Sequence, residues 1–212
     1  MNAATEKLLL HAGAGAVEAL RDVPAAGPVH GTAVIAHPHP LFGGTMQNKV
    51  VQTLARAFVQ CGWQAIRFNF RGVGASAGVY DEGRGEAADM LAVIAQVAPE
   101  GPLALAGFSF GAFVTSHAAQ ALGAQRCPEK LVLVGTAASR IAVAPIAPQL
   151  HERTLVLHGE QDDTVPLSSV MDWARPQSLP VTVIPGVEHF FHGQLPLLKA
   201  LTVRHLRAPV DL

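Results

Sequence analysis

Short, mostly apolar segments of strand length alternate along this chain with longer segments of helical period, and few folds accommodate that alternation. Residues 32–36, 63–70, 103–106, 130–134, 153–158 and 181–184 read as strands bounded by glycine, proline and polar turn residues. Between them, residues 46–60, 85–97 and 167–174 read as helices, and residues 190–206 contain a closing one. In the first helix Val50, Leu54, Ala57 and Phe58 share one face, Thr45 is placed to cap the start, and Gly62 lies past the end. In the second, Ala88, Leu91, Ala92 and Ala95 are expected to face inward, with Pro99 closing the element. Residues 7–10 and 16–21 read as an opening antiparallel pair. The expected architecture is α/β: a mostly parallel twisted sheet with helices on both faces. Residues 135–152 are the least regular stretch and too short for a lid domain, so little or no cap is expected.

At 212 residues the chain is expected to form one domain, spanning residues 1–212, with a core large enough to need no staples. A formal net charge of −1 gives no reason to expect nucleic acid or an anionic membrane as partner. No run of eighteen apolar residues occurs, so no membrane span is expected. The opening residues carry an apolar stretch at Leu8-Leu9-Leu10, broken by His11, Gly13 and Gly15, unlike a secretory signal. Cys61 and Cys127 are too few for a disulfide framework or a zinc site, which suits a reducing cytoplasm. The low charge and the number of strands allow a homodimer.

The pentapeptide Gly107-Phe108-Ser109-Phe110-Gly111 follows the strand at 103–106 and precedes the helix-like residues 112–119. Strand, sharp turn and helix with serine at the apex form a nucleophile elbow, where small residues on either side allow close approach. In open parallel sheets ligands sit outside the carboxyl ends of the strands, so the residues after each strand should reveal a site. The strand at 153–158 is followed by Gly159-Glu160-Gln161-Asp162-Asp163-Thr164-Val165-Pro166. The strand at 181–184 is followed by Pro185-Gly186-Val187-Glu188-His189. A hydroxyl, a carboxylate and an imidazole are thereby placed on one sheet edge.

With these motifs the chain resembles the α/β-hydrolase superfamily over nearly its whole length, in the chain order Ser, Asp, His. His37-Pro38-His39-Pro40-Leu41-Phe42-Gly43-Gly44 and Arg67-Phe68-Asn69-Phe70-Arg71-Gly72-Val73-Gly74 resemble more narrowly a small, lidless bacterial serine hydrolase subgroup similar to dienelactone hydrolases. Dienelactone hydrolases place cysteine at the elbow where this chain has Ser109. The resemblance implies Ser109 as nucleophile, His189 as base and Asp162 as its orienter, with Asp163 the competitor for that last role. It implies an oxyanion hole built from the backbone N–H of Phe110 and a second from His39 or Leu41, depending on the register chosen. The implied activity is cleavage of a small-molecule ester, lactone or thioester without cofactor or metal. A peptidase or acyltransferase on the same scaffold, or a non-catalytic binding module, are the rivals.

Neighbouring residues have plainer readings. His37 and His39 form a His-x-His pair without the further ligands a metal needs, and are read as loop-structuring. His192 is the fallback base. Arg67, Asn69 and Arg71 are read as a polar network holding the loop that reaches Gly78. Asp81, Glu82, Glu86 and Asp89 mark a helix start, where carboxylates favour the dipole. Most of Phe108, Phe110, Phe113, Phe190 and Phe191 are read as core, with one or two left to wall an acyl pocket.

Overall fold

The computed structural model describes residues 5–209. Its strands are β1 (Glu6–Ala12), β2 (Gly15–Asp22), β3 (Thr32–Ala36), β4 (Gln64–Phe68), β5 (Leu103–Phe108), β6 (Lys130–Val134), β7 (Thr154–Gly159) and β8 (Val181–Ile184). Its α-helices are α1 (Lys49–Gln60), α2 (Arg84–Val97), α3 (Phe110–Leu122), α4 (Leu167–Ala174) and α5 (Leu195–Arg207). All eight strands join one sheet in the order β1-β2-β4-β3-β5-β6-β7-β8. The β1–β2 and β2–β4 pairs are antiparallel and every later pair is parallel. No helix among the described residues is long and apolar enough to cross a membrane.

The continuous apolar character of the central strands follows from burial on both faces. Successive side chains alternate sides: Ala33, Ile35, Ala104, Ala106, Phe108, Val132 and Val134 pack on one face with α1 and α5. Val34, Ala36, Leu103, Leu105, Leu131 and Leu133 pack on the other with α2, α3 and α4. The parallel strands all finish at one edge, and that edge carries the loops that matter for chemistry.

Helix α1 starts later than local signals indicate. Asn48 is its cap, accepting the Val50 N–H at 2.8 Å, in place of Thr45. The reason is tertiary. Asn69 Oδ1 accepts the Met46 N–H at 2.9 Å, and Arg67 Nη1 donates to the Met46 carbonyl at 3.0 Å. Both backbone groups of Met46 are thereby tied to β4 and the loop beyond it, so the chain cannot wind into helix there. The hydroxyl of Thr45 accepts only the Gln47 N–H, at 3.2 Å. The segment at 135–152 remains mostly irregular and ends in a short 3-10 helix, Pro148–Arg153.

Candidate active site

Strand β5 and helix α3 meet at Ser109, whose backbone sits at φ 57°, ψ −117°, outside the range comfortable for a side-chain-bearing residue. The strain is held from both sides. The Ser109 N–H donates to the Val134 carbonyl at the end of β6 (2.8 Å), and the Ser109 carbonyl accepts from Ala112 at the first turn of α3 (3.0 Å). The flanking glycines are needed for space. A Cβ on Gly107 would lie 2.2 Å from the Gly111 carbonyl oxygen, and one on Gly111 would lie 2.4 Å from that of Ala36. Strand-to-helix contact this close presents the serine at the apex, with 7% of its surface exposed.

The loop after β7 brings Asp162 to the same place. Its Oδ1 accepts the N–H groups of Thr164 (3.0 Å) and Val165 (2.7 Å), which fixes the carboxylate in plane. Its Oδ2 is 2.6 Å from Nδ1 of His189, which follows β8. A carboxylate only accepts, so Nδ1 carries the proton and Nε2 is left to accept from the Ser109 hydroxyl at 3.0 Å. The aspartate side chain is fully buried and His189 is 1% exposed, so both hydrogen bonds lie out of competing water. The ring of Phe108 lies 4.9 Å from that of His189, and Phe190 packs edge-on at 5.0 Å. Gly135, after β6, completes the cage: at φ 53°, an added Cβ would stand 3.1 Å from His189 Cε1.

The competing candidates lie elsewhere. Asp163 is exposed and reaches only the Thr164 hydroxyl. His192 is exposed and paired with Glu188 at 2.9 Å. His37 is fully buried, with Nδ1 donating to the Pro38 carbonyl (2.6 Å) and Nε2 accepting the Phe70 N–H (3.0 Å). Burial lowers its pKa to about 4, outweighing the Pro38 hydrogen bond, so it stays neutral and pins the loop after β3 to the one after β4. Burial also lowers the pKa of His39, against the pull of Glu86. Its ring rests against Phe42, Tyr80 and Phe110, and its Nδ1 accepts the Leu41 N–H at 3.2 Å.

The polar residues at the end of β4 and in the loop beyond it are structural. Arg67 grips Asp22, Asn69 links Met46 to Glu18 (2.8 Å), and Arg71 makes two 2.8 Å bonds to Asp89. Glu86 is fully buried and accepts the N–H groups of Asp81 and Gly83, a more specific role than a favourable dipole position. Among the five phenylalanines, Phe108, Phe110, Phe113 and Phe191 are buried and Phe190 is 43% exposed. Leu41 and Phe42 are also exposed, and with Phe190 they give the loops flanking the elbow an apolar surface. Two residues beside the cluster had no role assigned from the sequence, Gly135 and His158. Both lie at the strand edge, so extending the strand-end reading to β6 and to the last residues of β7 would have found them.

The fold has relatives. The thioesterase domain family model matches residues 85–200, and that of the X-Pro dipeptidyl-peptidase (S15) family matches residues 23–132. The chain belongs to the α/β serine hydrolase family. A lidless serine hydrolase from Xanthomonas campestris, XC6422, superposes with a TM-score of 0.87 at 34% identity, covering 100% of this chain and 99% of that one. A serine hydrolase homologue from Coxiella burnetii superposes at 0.79 with 38% identity, covering 95% and 97%. The uncharacterized protein RP471 of Rickettsia prowazekii is 30% identical, over 75% of this chain and 71% of its own. The sheet of this hydrolase, with its antiparallel opening and parallel remainder, is the family's scaffold, and the Ser109 elbow stands at the strand-to-helix junction on that scaffold.

Proposed function

We propose that this hydrolase cleaves small ester, lactone or thioester bonds through an acyl-enzyme on Ser109, with His189 as base and Asp162 as orienter. One observation carries the reading: the unbroken chain of hydrogen bonds from the Ser109 hydroxyl through His189 to Asp162, at 3.0 and 2.6 Å. In the first step Ser109 Oγ bonds to the carbonyl carbon while its proton passes to His189 Nε2. The bond to the leaving oxygen or sulfur then breaks, and that atom takes the proton from His189. Water next attacks the acyl carbon, giving a proton to His189, and its return to Oγ releases the acid and restores Ser109. Asp162 stabilises the imidazolium in both halves.

The developing oxyanion requires two donors with nothing else to bond. The N–H groups of Phe110 and His39 have no protein acceptor among the described residues, whereas that of Leu41 is taken by His39 Nδ1. This supports Phe110 and His39 as the pair. The contact of Gly111 with the Ala36 and His37 carbonyls sets the start of α3 beside the His39 loop, which favours convergence of the two amides.

A second reading, amide cleavage, is favoured by the S15 family match. Turnover of p-nitrophenyl esters from acetyl to octanoyl, acyl thioesters and an X-Pro p-nitroanilide separates the two. The expected result is preference for short acyl esters, with kcat/KM exceeding that for the anilide by roughly 100-fold or more. Faster anilide turnover would favour the peptidase.

A further inference from the structure

Behind the triad lies a second buried histidine that the acyl-transfer steps do not use. His158, the penultimate residue of β7, is 0% exposed and four residues before Asp162. Its Nε2 is 2.9 Å from the Val165 carbonyl and 3.6 Å from Asp162 Oδ2, and its Nδ1 is buried with no hydrogen-bond partner among the described residues. Both groups near Nε2 only accept, so Nε2 carries the proton. A second proton on Nδ1 would be a buried donor without an acceptor, which keeps the ring neutral. Burial lowers its pKa against the pull of Asp162, in agreement with that geometry.

Val165 is consequently held at both ends. Its N–H donates to Asp162 Oδ1 at 2.7 Å and its carbonyl accepts from His158 Nε2. The His158 Nε2–H that donates to this carbonyl also lies 3.6 Å from Asp162 Oδ2, the oxygen that holds His189. We infer that His158 is a positioning residue of this hydrolase. It locks the turn that orients the Asp162 carboxylate, and its N–H dipole withdraws part of the negative charge that Asp162 presents to His189. The inference rests on the triad reading given above. Asp162, from the loop after β7, and His189, from the loop after β8, are the titratable groups that face it.

The two parts have separate signatures. Loosening the carboxylate misaligns His189 in the transition state, so kcat falls while KM hardly moves. Removing the dipole strengthens the field of Asp162 at His189, raises the proton affinity of His189, and moves the acidic limb of kcat/KM to higher pH. For His158→Phe the expected result with p-nitrophenyl acetate is a kcat lowered at least about tenfold, KM within about twofold, and the limb displaced upward. His158→Gln, whose side-chain amide can supply an N–H near the Nε2 position, is expected to recover most of both. A folded His158→Phe enzyme with unchanged kcat and limb, or a Gln variant as impaired as the Phe variant, overturns the inference. Should the Phe variant not fold, the wild-type enzyme decides by NMR. The His158 Nε2 proton should shift when a fluorophosphonate occupies Ser109, and an unmoved resonance overturns it. Ser109→Ala run alongside separates the two levels: full activity there defeats the triad reading and this inference together. An inactive Ser109→Ala beside an unaffected His158→Phe defeats this inference alone.

Discussion

Ser109→Ala is expected to lower kcat/KM for p-nitrophenyl acetate by at least roughly 10,000-fold while leaving the fold intact. The hydroxyl contributes one side-chain hydrogen bond, to His189, and the position is held by backbone bonds to Val134 and Ala112 that alanine keeps. Alanine also meets the same backbone strain at φ 57° as serine does, so the elbow gains no new conflict. Loss of the oxygen removes the group that bonds to the acyl carbon, and water lacks its fixed position. Activity within a few-fold of wild type, measured on a variant with an unchanged circular dichroism spectrum, would remove Ser109 from the mechanism.

Asp162→Asn is expected to cost about as much, roughly 10,000-fold in kcat, whereas Asp163→Asn should stay within about twofold. The asymmetry follows from the hydrogen bonds. The Thr164 and Val165 N–H groups need an acceptor, so the amide oxygen of asparagine takes the place of Oδ1. The amide nitrogen is then left facing His189 Nδ1, where two donors would meet. His189 resolves that conflict by moving its proton to Nε2, and Nε2 can no longer accept from Ser109. The exposed carboxylate of Asp163 touches none of these groups. Steady-state kinetics of the two variants decide the assignment, and the reverse pattern would transfer the role to Asp163.

The parts legible in the sequence are those set by short-range pattern. Strands buried on both faces show as apolar runs, and the parallel sheet then places whatever follows them on one edge, which is why Ser109, Asp162 and His189 could be grouped before any distance was known. The elbow was legible because Gly107 and Gly111 leave no room for a Cβ. Features that depend on a remote partner were not. The start of α1 moved because Asn69 and Arg67 capture Met46, and no local propensity at Thr45 encodes that. The choice between His39 and Leu41 turns on an imidazole accepting an amide two residues on, a matter of side-chain rotation. Asp89 looked like a helix-dipole residue, and its pairing with Arg71 comes from a loop eighteen positions earlier in the chain.

The central claim, that Ser109 is the nucleophile activated by His189, is tested most directly by covalent labelling. Wild-type protein incubated with a fluorophosphonate, digested and analysed by mass spectrometry should carry one adduct, on Ser109. His189→Ala protein treated in parallel should label far more slowly, because the hydroxyl has lost the base that takes its proton. An adduct on a different serine, no adduct at all, or equal labelling of the two proteins would contradict the account.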